Sequence, residues 1–133
     1  MRKYLFVYGT LLPGFAPAAV EPLVRRLRLV GRGSVQGSLY DLGNYPGAVL
    51  DKAAARVWGQ VFELPADPSV LRHLDHYEGF DPKHPDSSEF VRKKCTVSLE
   101  NGRRIKCWIY GYSRPAGTAA RIVDGDFSKH KSR

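Results

Sequence analysis

Two short stretches of the chain carry the residue types and spacing that chemistry needs. Tyr8-Gly9-Thr10-Leu11 closes an apolar run. A strand that stops there presents successive main-chain N–H groups at its end, and a glycine lets a ligand come close to the backbone. Such a turn suits a carboxylate or a carbonyl oxygen. An ordinary strand-to-loop transition is the competing reading, and spacing alone favours it. The second stretch is Leu74-Asp75-His76-Tyr77-Glu78-Gly79-Phe80. A Glu78 carboxyl set among aromatic rings loses solvation, which raises its pKa toward that of a useful proton acceptor. A solvated glutamate at a helix end is the commoner reading of one such residue, and Asp75, three positions earlier, competes for the role.

Other chemistries find less support. His73 and His76 stand at i, i+3 and can in principle share a metal, but a chance pair on a solvated helix face is the simpler account. Ser34, Ser38 and Ser98 sit in no nucleophile-elbow sequence. Gly31-x-Gly33 lacks the third glycine of a dinucleotide fingerprint. Cys95 and Cys107 are too few for a disulfide framework and lack the partners of a zinc site, so they read as core residues.

These residues need elements to hold them. Lys3 to Tyr8 is β-branched and aromatic and reads as a buried strand ended by Gly9. Val20, Leu23, Val24 and Leu27 fall at helical spacing and predict a helix from about 17 to 29, ended by Gly31 and Gly33. Val35 to Leu42 predicts a strand with a bulge or close packing at Gly37, followed by a loop over 43–47. Short strands are expected at Ala48 to Leu50 and at Arg56 to Leu64. Asp67-Pro68 supplies an N-cap and a first-turn proline for a helix to about Tyr77, with Val70, Leu71, Leu74 and Tyr77 inward. Gly79 is placed to end it, which puts Glu78 at or next to the last helical residue. The polar stretch from Asp81 to Ser88 reads as a loop.

A final hairpin turns around Glu100-Asn101-Gly102, and side-chain pattern selects its register. A two-residue Asn-Gly turn would put Lys106 opposite Val97. A three-residue loop pairs Val97 with Ile105 and Cys95 with Cys107, gathering Val91, Cys95, Val97, Leu99, Ile105, Cys107 and Ile109 on one face. The second is preferred. Five or six strands and two helices then make an α+β domain with a mostly antiparallel, curved sheet. It is expected to span residues 1–127, anchored late by Ile122, Val123 and Phe127, with 128–133 a basic, disordered tail.

At 133 residues and 43% hydrophobic content, the chain can bury a core as one domain. No apolar run approaches the ~20 residues of a membrane span, and no signal-peptide core follows Met1, so a cytoplasmic protein with no membrane partner is expected. A formal charge of +8 favours anionic partners without naming one. The basic groups at 25–28, 92–94, 103–106 and the tail accompany no RNA-recognition pattern, which favours solvated surface charge. A nucleic-acid-binding barrel using Arg92 to Lys94, Lys106 and Trp108 ranks last among the functional readings.

Phe6-Val-Tyr-Gly-Thr-Leu-Leu-Pro-Gly14, Gly37-Ser-Leu-Tyr40 with Tyr45-Pro-Gly-Ala48, Val57-Trp-Gly-Gln-Val-Phe62, the Leu74 to Phe80 block and Trp108-Ile-Tyr-Gly-Tyr112 together resemble the gamma-glutamylcyclotransferase-like family over residues 4 to about 112. Ile122 to Phe127 is similar to a C-terminal Gly-Asp-Trp segment of such proteins, with Phe127 in place of tryptophan. The resemblance implies a small mixed, mostly antiparallel β-barrel with flanking short helices. It implies a cavity at Tyr8, Gly9, Thr10 and Leu11, an essential glutamate at Glu78, and pocket walls that include Tyr45 and Tyr110. The implied reaction releases 5-oxoproline and a free amine from a small gamma-glutamyl substrate, with no cofactor or metal. Leu12 stands where relatives often carry a polar or basic residue, and the 81–88 loop is particular to this chain. Both bear on which amine fits. A catalytically silent binding or regulatory protein of the same fold is the alternative.

Overall fold

In the computed structural model, residues 2–52 and 55–131 are described. The apolar run at the start forms β1 (Tyr4–Val7), which pairs antiparallel with β5 (Arg56–Glu63), Phe6 opposite Val61. On its other side β5 pairs with the long β2 (Arg28–Gln36), which pairs in turn with β6 (Phe90–Leu99). β6 continues into β7 (Arg104–Tyr112), and β7 meets β1 in parallel at Trp108 and Leu5, closing a five-stranded barrel in the order β1-β5-β2-β6-β7. A second sheet stands beside it. There β3 (Ser38–Asp41) lies between β4 (Pro46–Val49) and the two-residue β8 (Ala120–Arg121).

Alternation along β1 separates two cores, as the pleat requires. Phe6 joins Val35, Val57, Val61, Val97, Leu99, Cys107 and Ile109, a group drawn from all five barrel strands and hence the barrel interior. Leu5 and Val7 face the other way and are covered by Val20 and Val24 and by Val70 and Leu74 of the helix over Pro68–Tyr77. Leu5, Val70 and Leu74 are fully buried, and each such side chain contributes about 1.5–3 kcal/mol.

The hairpin adopts the three-residue loop. Gly102 N–H donates to Leu99 O at 3.0 Å and Leu99 N–H to Arg103 O at 2.8 Å, and Cys95 stands opposite Cys107 and Val97 opposite Ile105. The expected face forms along most of its length: Val97, Leu99, Cys107 and Ile109 are buried in the barrel, with Cys95 and Ile105 packed against them. Val91 instead borders a shallow groove with Lys93 and Tyr112.

Three expectations are corrected. The helix foreseen over 17–29 shrinks to one turn, α1 (Glu21–Val24), because the chain from Arg28 is taken into the β2–β5 ladder, where Leu29 pairs with Phe62. Gly31 and Gly33 therefore lie inside a strand, opposite Val61 and Gly59, and end no helix. The strand expected from Val35 to Leu42 is cut at Gly37, where the chain leaves the barrel for the second sheet, which the sequence reading did not separate. Last, the basic segment from 128, expected as a disordered tail, is helical to residue 131 in α3 (Phe127–Lys131). Its first turn is held by the Asp126 carboxylate, which accepts from Lys129 N–H and Ser128 Oγ, and by burial of Phe127. Residues 132 and 133 lie outside the described residues. Among the described residues no helix is long and apolar enough to cross a membrane.

Candidate active site

Where β1 ends, Tyr8 drops its ring into the barrel and engages its hydroxyl fully. The hydroxyl donates to Tyr110 O at 2.6 Å and accepts from Ala48 N–H at 3.2 Å, which ties β1, β4 and β7 together at one end of the barrel. Burial pushes the phenol's pKa up, and Glu78 adds to the shift. The chain then turns, with Leu12 N–H donating to Gly9 O at 2.9 Å. A side chain on Gly9 would place its Cβ 2.6 Å from Pro46 Cγ, so only glycine lets β4 and the turn close on each other. Among the described residues no main-chain or side-chain group accepts a hydrogen bond from the amide N–H of Gly9, Thr10 or Leu11. Those amides are donors not used by the fold.

The helix over Pro68–Tyr77, α2, delivers the carboxylate. Asp67 caps its start, accepting from Ser69 N–H at 2.9 Å. Its end is a Schellman motif: Phe80 N–H donates to Asp75 O, Gly79 N–H to His76 O, and Gly79 takes a φ of +71°. Glu78 is thus the C-cap residue, fixed by the backbone bonds of its neighbours, and it lies where α2 meets the end of β1. Its carboxyl is pushed up to about 7, by burial first and then by the nearby Glu89 carboxylate.

One turn earlier, Asp75 has the opposite environment. Arg92 grips it with two bonds, Nε to Oδ1 at 2.7 Å and Nη2 to Oδ2 at 3.0 Å, and the Tyr110 hydroxyl donates to Oδ1 at 2.6 Å. Arg92 lies in turn over the Trp108 ring, 4.3 Å from its centroid. Burial first, and then the bond to Asp75, raises the Tyr110 phenol's pKa. Asp75 thus ties α2 to β6 and β7, and the Arg92 charge proposed for nucleic acid is spent inside the protein.

Tyr8, Gly9, Thr10, Leu11, Tyr45, Glu78 and Tyr110, the residues singled out in the sequence, line one cavity of about 380 Å³, with Phe6, Pro46, Tyr77 and Phe90 supplying apolar wall. That size suits a small metabolite. Tyr8 contributes its ring, because its hydroxyl is already committed to the fold. The cavity also contains a residue that the sequence reading missed. Glu89 lines it and accepts a hydrogen bond from the Tyr45 hydroxyl, whose pKa is pushed up to about 12 by that bond and then by burial. No local signal marks Glu89, a lone acid at the end of a polar loop. Its place follows from β6 starting beside the α2 terminus. His73 and His76 are exposed, and among the described residues no group of three or more His, Cys, Asp or Glu is placed to hold a metal.

Comparison with known proteins gives a consistent picture. The family described as "Gamma-glutamyl cyclotransferase, AIG2-like" matches residues 5–129. A Methanocaldococcus jannaschii protein, whose name gives gamma-glutamylcyclotransferase as an unproven activity, is 29% identical over 130 residues, 97% of this chain and 98% of its own length. The crystal structure of an AIG2-like protein from Mus musculus matches 87% of this chain and 80% of its own, with 25% identity and a TM-score of 0.67. YkqA from Bacillus subtilis covers the whole chain with a TM-score of 0.74 at 23% identity, a likeness of fold, and this chain spans 44% of its length.

Proposed function

The chain belongs to the AIG2-like gamma-glutamyl cyclotransferase family, and from that premise we propose that it cyclises a gamma-glutamyl amine or peptide, releasing 5-oxoproline and the free amine. The α-amino group of the glutamyl unit attacks the carbonyl carbon of its own side-chain amide. As an ammonium it has no lone pair to offer, so a base must first take a proton. Glu78 takes it, the new C–N bond closes a five-membered ring, and the tetrahedral intermediate places negative charge on oxygen. The protonated Glu78 then gives its proton to the amide nitrogen as the old C–N bond breaks and the carbonyl re-forms, and the second proton on the ring nitrogen passes through the regenerated Glu78 carboxylate to the departing amine, which leaves as an ammonium. Protons and electrons balance without a cofactor. The free amides of Gly9 to Leu11 are suited to hold the α-carboxylate or the oxyanion. Both reacting groups belong to one bound molecule, so holding it folded supplies much of the rate gain.

The observation that carries this reading is a Glu78 carboxyl, with its pKa raised to about 7, in the same cavity as the unused Gly9–Leu11 amides. A group so poised is roughly half ionised at neutral pH and can both accept and return a proton. Incubation with a panel of gamma-glutamyl amines and peptides should release 5-oxoproline, and Glu78→Gln should abolish the release. Ligands that bind in the cavity but are recovered intact across the panel would mark a silent binding protein instead.

A further inference from the structure

The proposed reaction uses one carboxylate, yet the cavity holds two. Glu89 has no part in the proton transfers, and Glu78 and the Gly9–Leu11 amides already account for the charged ends of the glutamyl unit. Placing a second acid beside the first raises the proton affinity of Glu78, and it also leaves a carboxylate facing whatever else enters the cavity. Among the described residues the cavity lining includes no lysine, arginine or histidine, in a chain with a formal charge of +8. Other carboxylates deep in this protein are differently placed: Asp75 is paired with Arg92 and Asp126 with Arg32. Among the described residues neither Glu78 nor Glu89 has an ion-pair partner.

Glu89 is also held in place. The Tyr45 hydroxyl donates to its Oε1, and the Tyr45 ring meets Phe90 edge-on with centroids 5.7 Å apart. Gly9 and Leu11 in the cavity wall are buried, whereas Thr10, Tyr45, Glu78 and Glu89 are partly exposed. The glutamyl end belongs at the buried side, where the free amides are. The amine has to leave toward solvent, which is the side where Glu89 stands.

We propose that Glu89, oriented by Tyr45, is a specificity-determining residue that binds a positive charge on the leaving amine, so that the preferred substrates are gamma-glutamyl conjugates of diamines or other cation-bearing amines. This rests on the cyclotransferase reading of the cavity and names its substrate class. A leaving amine ending in an ammonium supplies the counter-charge that Glu89 lacks. One ending in a carboxylate meets repulsion from the same residue.

The test uses two probes of equal length, gamma-glutamyl-1,4-diaminobutane and gamma-glutamyl-pentylamine, which differ in a terminal ammonium against a methyl. Calorimetric affinities are measured in the Glu78→Gln background, with and without Glu89→Gln, so that neither probe is turned over and a failure of catalysis leaves the readout intact. With Glu89 present the cationic probe should bind about tenfold tighter or more, the worth of one charged hydrogen bond, and with Glu89→Gln the ratio should fall to about twofold or less. Equal affinities with Glu89 present, a preference that survives Glu89→Gln, or no binding of either probe would overturn the proposal. Glu89→Lys gives an independent reading, because it should turn the preference toward a probe ending in a carboxylate. A cationic preference that persists in that variant would also overturn it.

Discussion

Asp75 and Glu78 are acids three residues apart on one short helix, and the fold treats them in opposite ways. Asp75 points to the strands and receives Arg92 through two bonds and the Tyr110 hydroxyl through a third. Glu78, at the cap, has no cationic partner among the described residues, and its carboxyl is pushed up to about 7 by burial and then by Glu89. A buried carboxylate given a full set of donors becomes a structural tie. A similar group left without them stores proton affinity that chemistry can use. Sequence alone offered both as candidates, and the difference between them comes from what β6 and β7 bring to the far side of α2.

That contrast predicts different failures. The largest effect is expected for Glu78→Gln, which should lower kcat/KM for 5-oxoproline release by about 10²–10⁴-fold, the usual worth of a positioned acid-base group, while leaving urea unfolding at neutral pH no less cooperative. Asp75→Asn should do the reverse in kind. It leaves the partly buried Arg92 without its counter-charge and should cost about 2–4 kcal/mol in denaturant unfolding, somewhat below the figure for a fully buried pair, with any activity loss following from α2 loosening. If Asp75→Asn abolished turnover in a fully stable protein, the roles would have been exchanged.

A smaller effect sharpens the comparison through pH. Glu78 has a folded-state pKa above its unfolded value, so its contribution favours folding at pH below about 4.5 and is lost as the pH rises through about 7. Wild type should therefore lose about 1–3 kcal/mol between pH 5 and 8 relative to Glu78→Gln; parallel stability curves for the two proteins would contradict this. In the rate, kcat/KM should climb through an acid limb near pH 7 and fall again where the substrate's own ammonium deprotonates. A profile flat from pH 5 to 7 would remove Glu78 from the proton transfer.

How far these features could be read in advance depended on where their causes lie. α2 was legible because its determinants are local: an Asp67-Pro68 start, apolar residues at 70, 71, 74 and 77, and a glycine at 79 where the Schellman motif needs one. The hairpin register was legible because the wrong register would have put Lys106 opposite Val97 in the β6–β7 ladder, on the face that lines the barrel. The helix expected over 17–29 failed for the complementary reason. Its apolar spacing is real and still buries Val20, Val24 and Leu27, but the β2–β5 ladder that starts at Arg28 outweighs the end of an isolated helix of three to four turns. The segment from 128 looked like a tail because its composition is basic, while the Asp126 cap and the Phe127 anchor that order it carry little weight in a composition count. Glu89 was invisible because nothing in its neighbours signals a cavity; only the closing of β6 beside the α2 terminus brings it there.

The central claim is that Glu78 holds its proton up to neutral pH because the fold buries its carboxyl in a partly dry cavity beside Glu89 and, among the described residues, pairs it with no cation. The most direct measurement is a carbon-13 titration of the glutamate side-chain carboxyls, with the Glu78 signal assigned by its loss in Glu78→Gln. A midpoint near 7 is the predicted result; a midpoint at the ordinary glutamate value of about 4.3 would contradict the account.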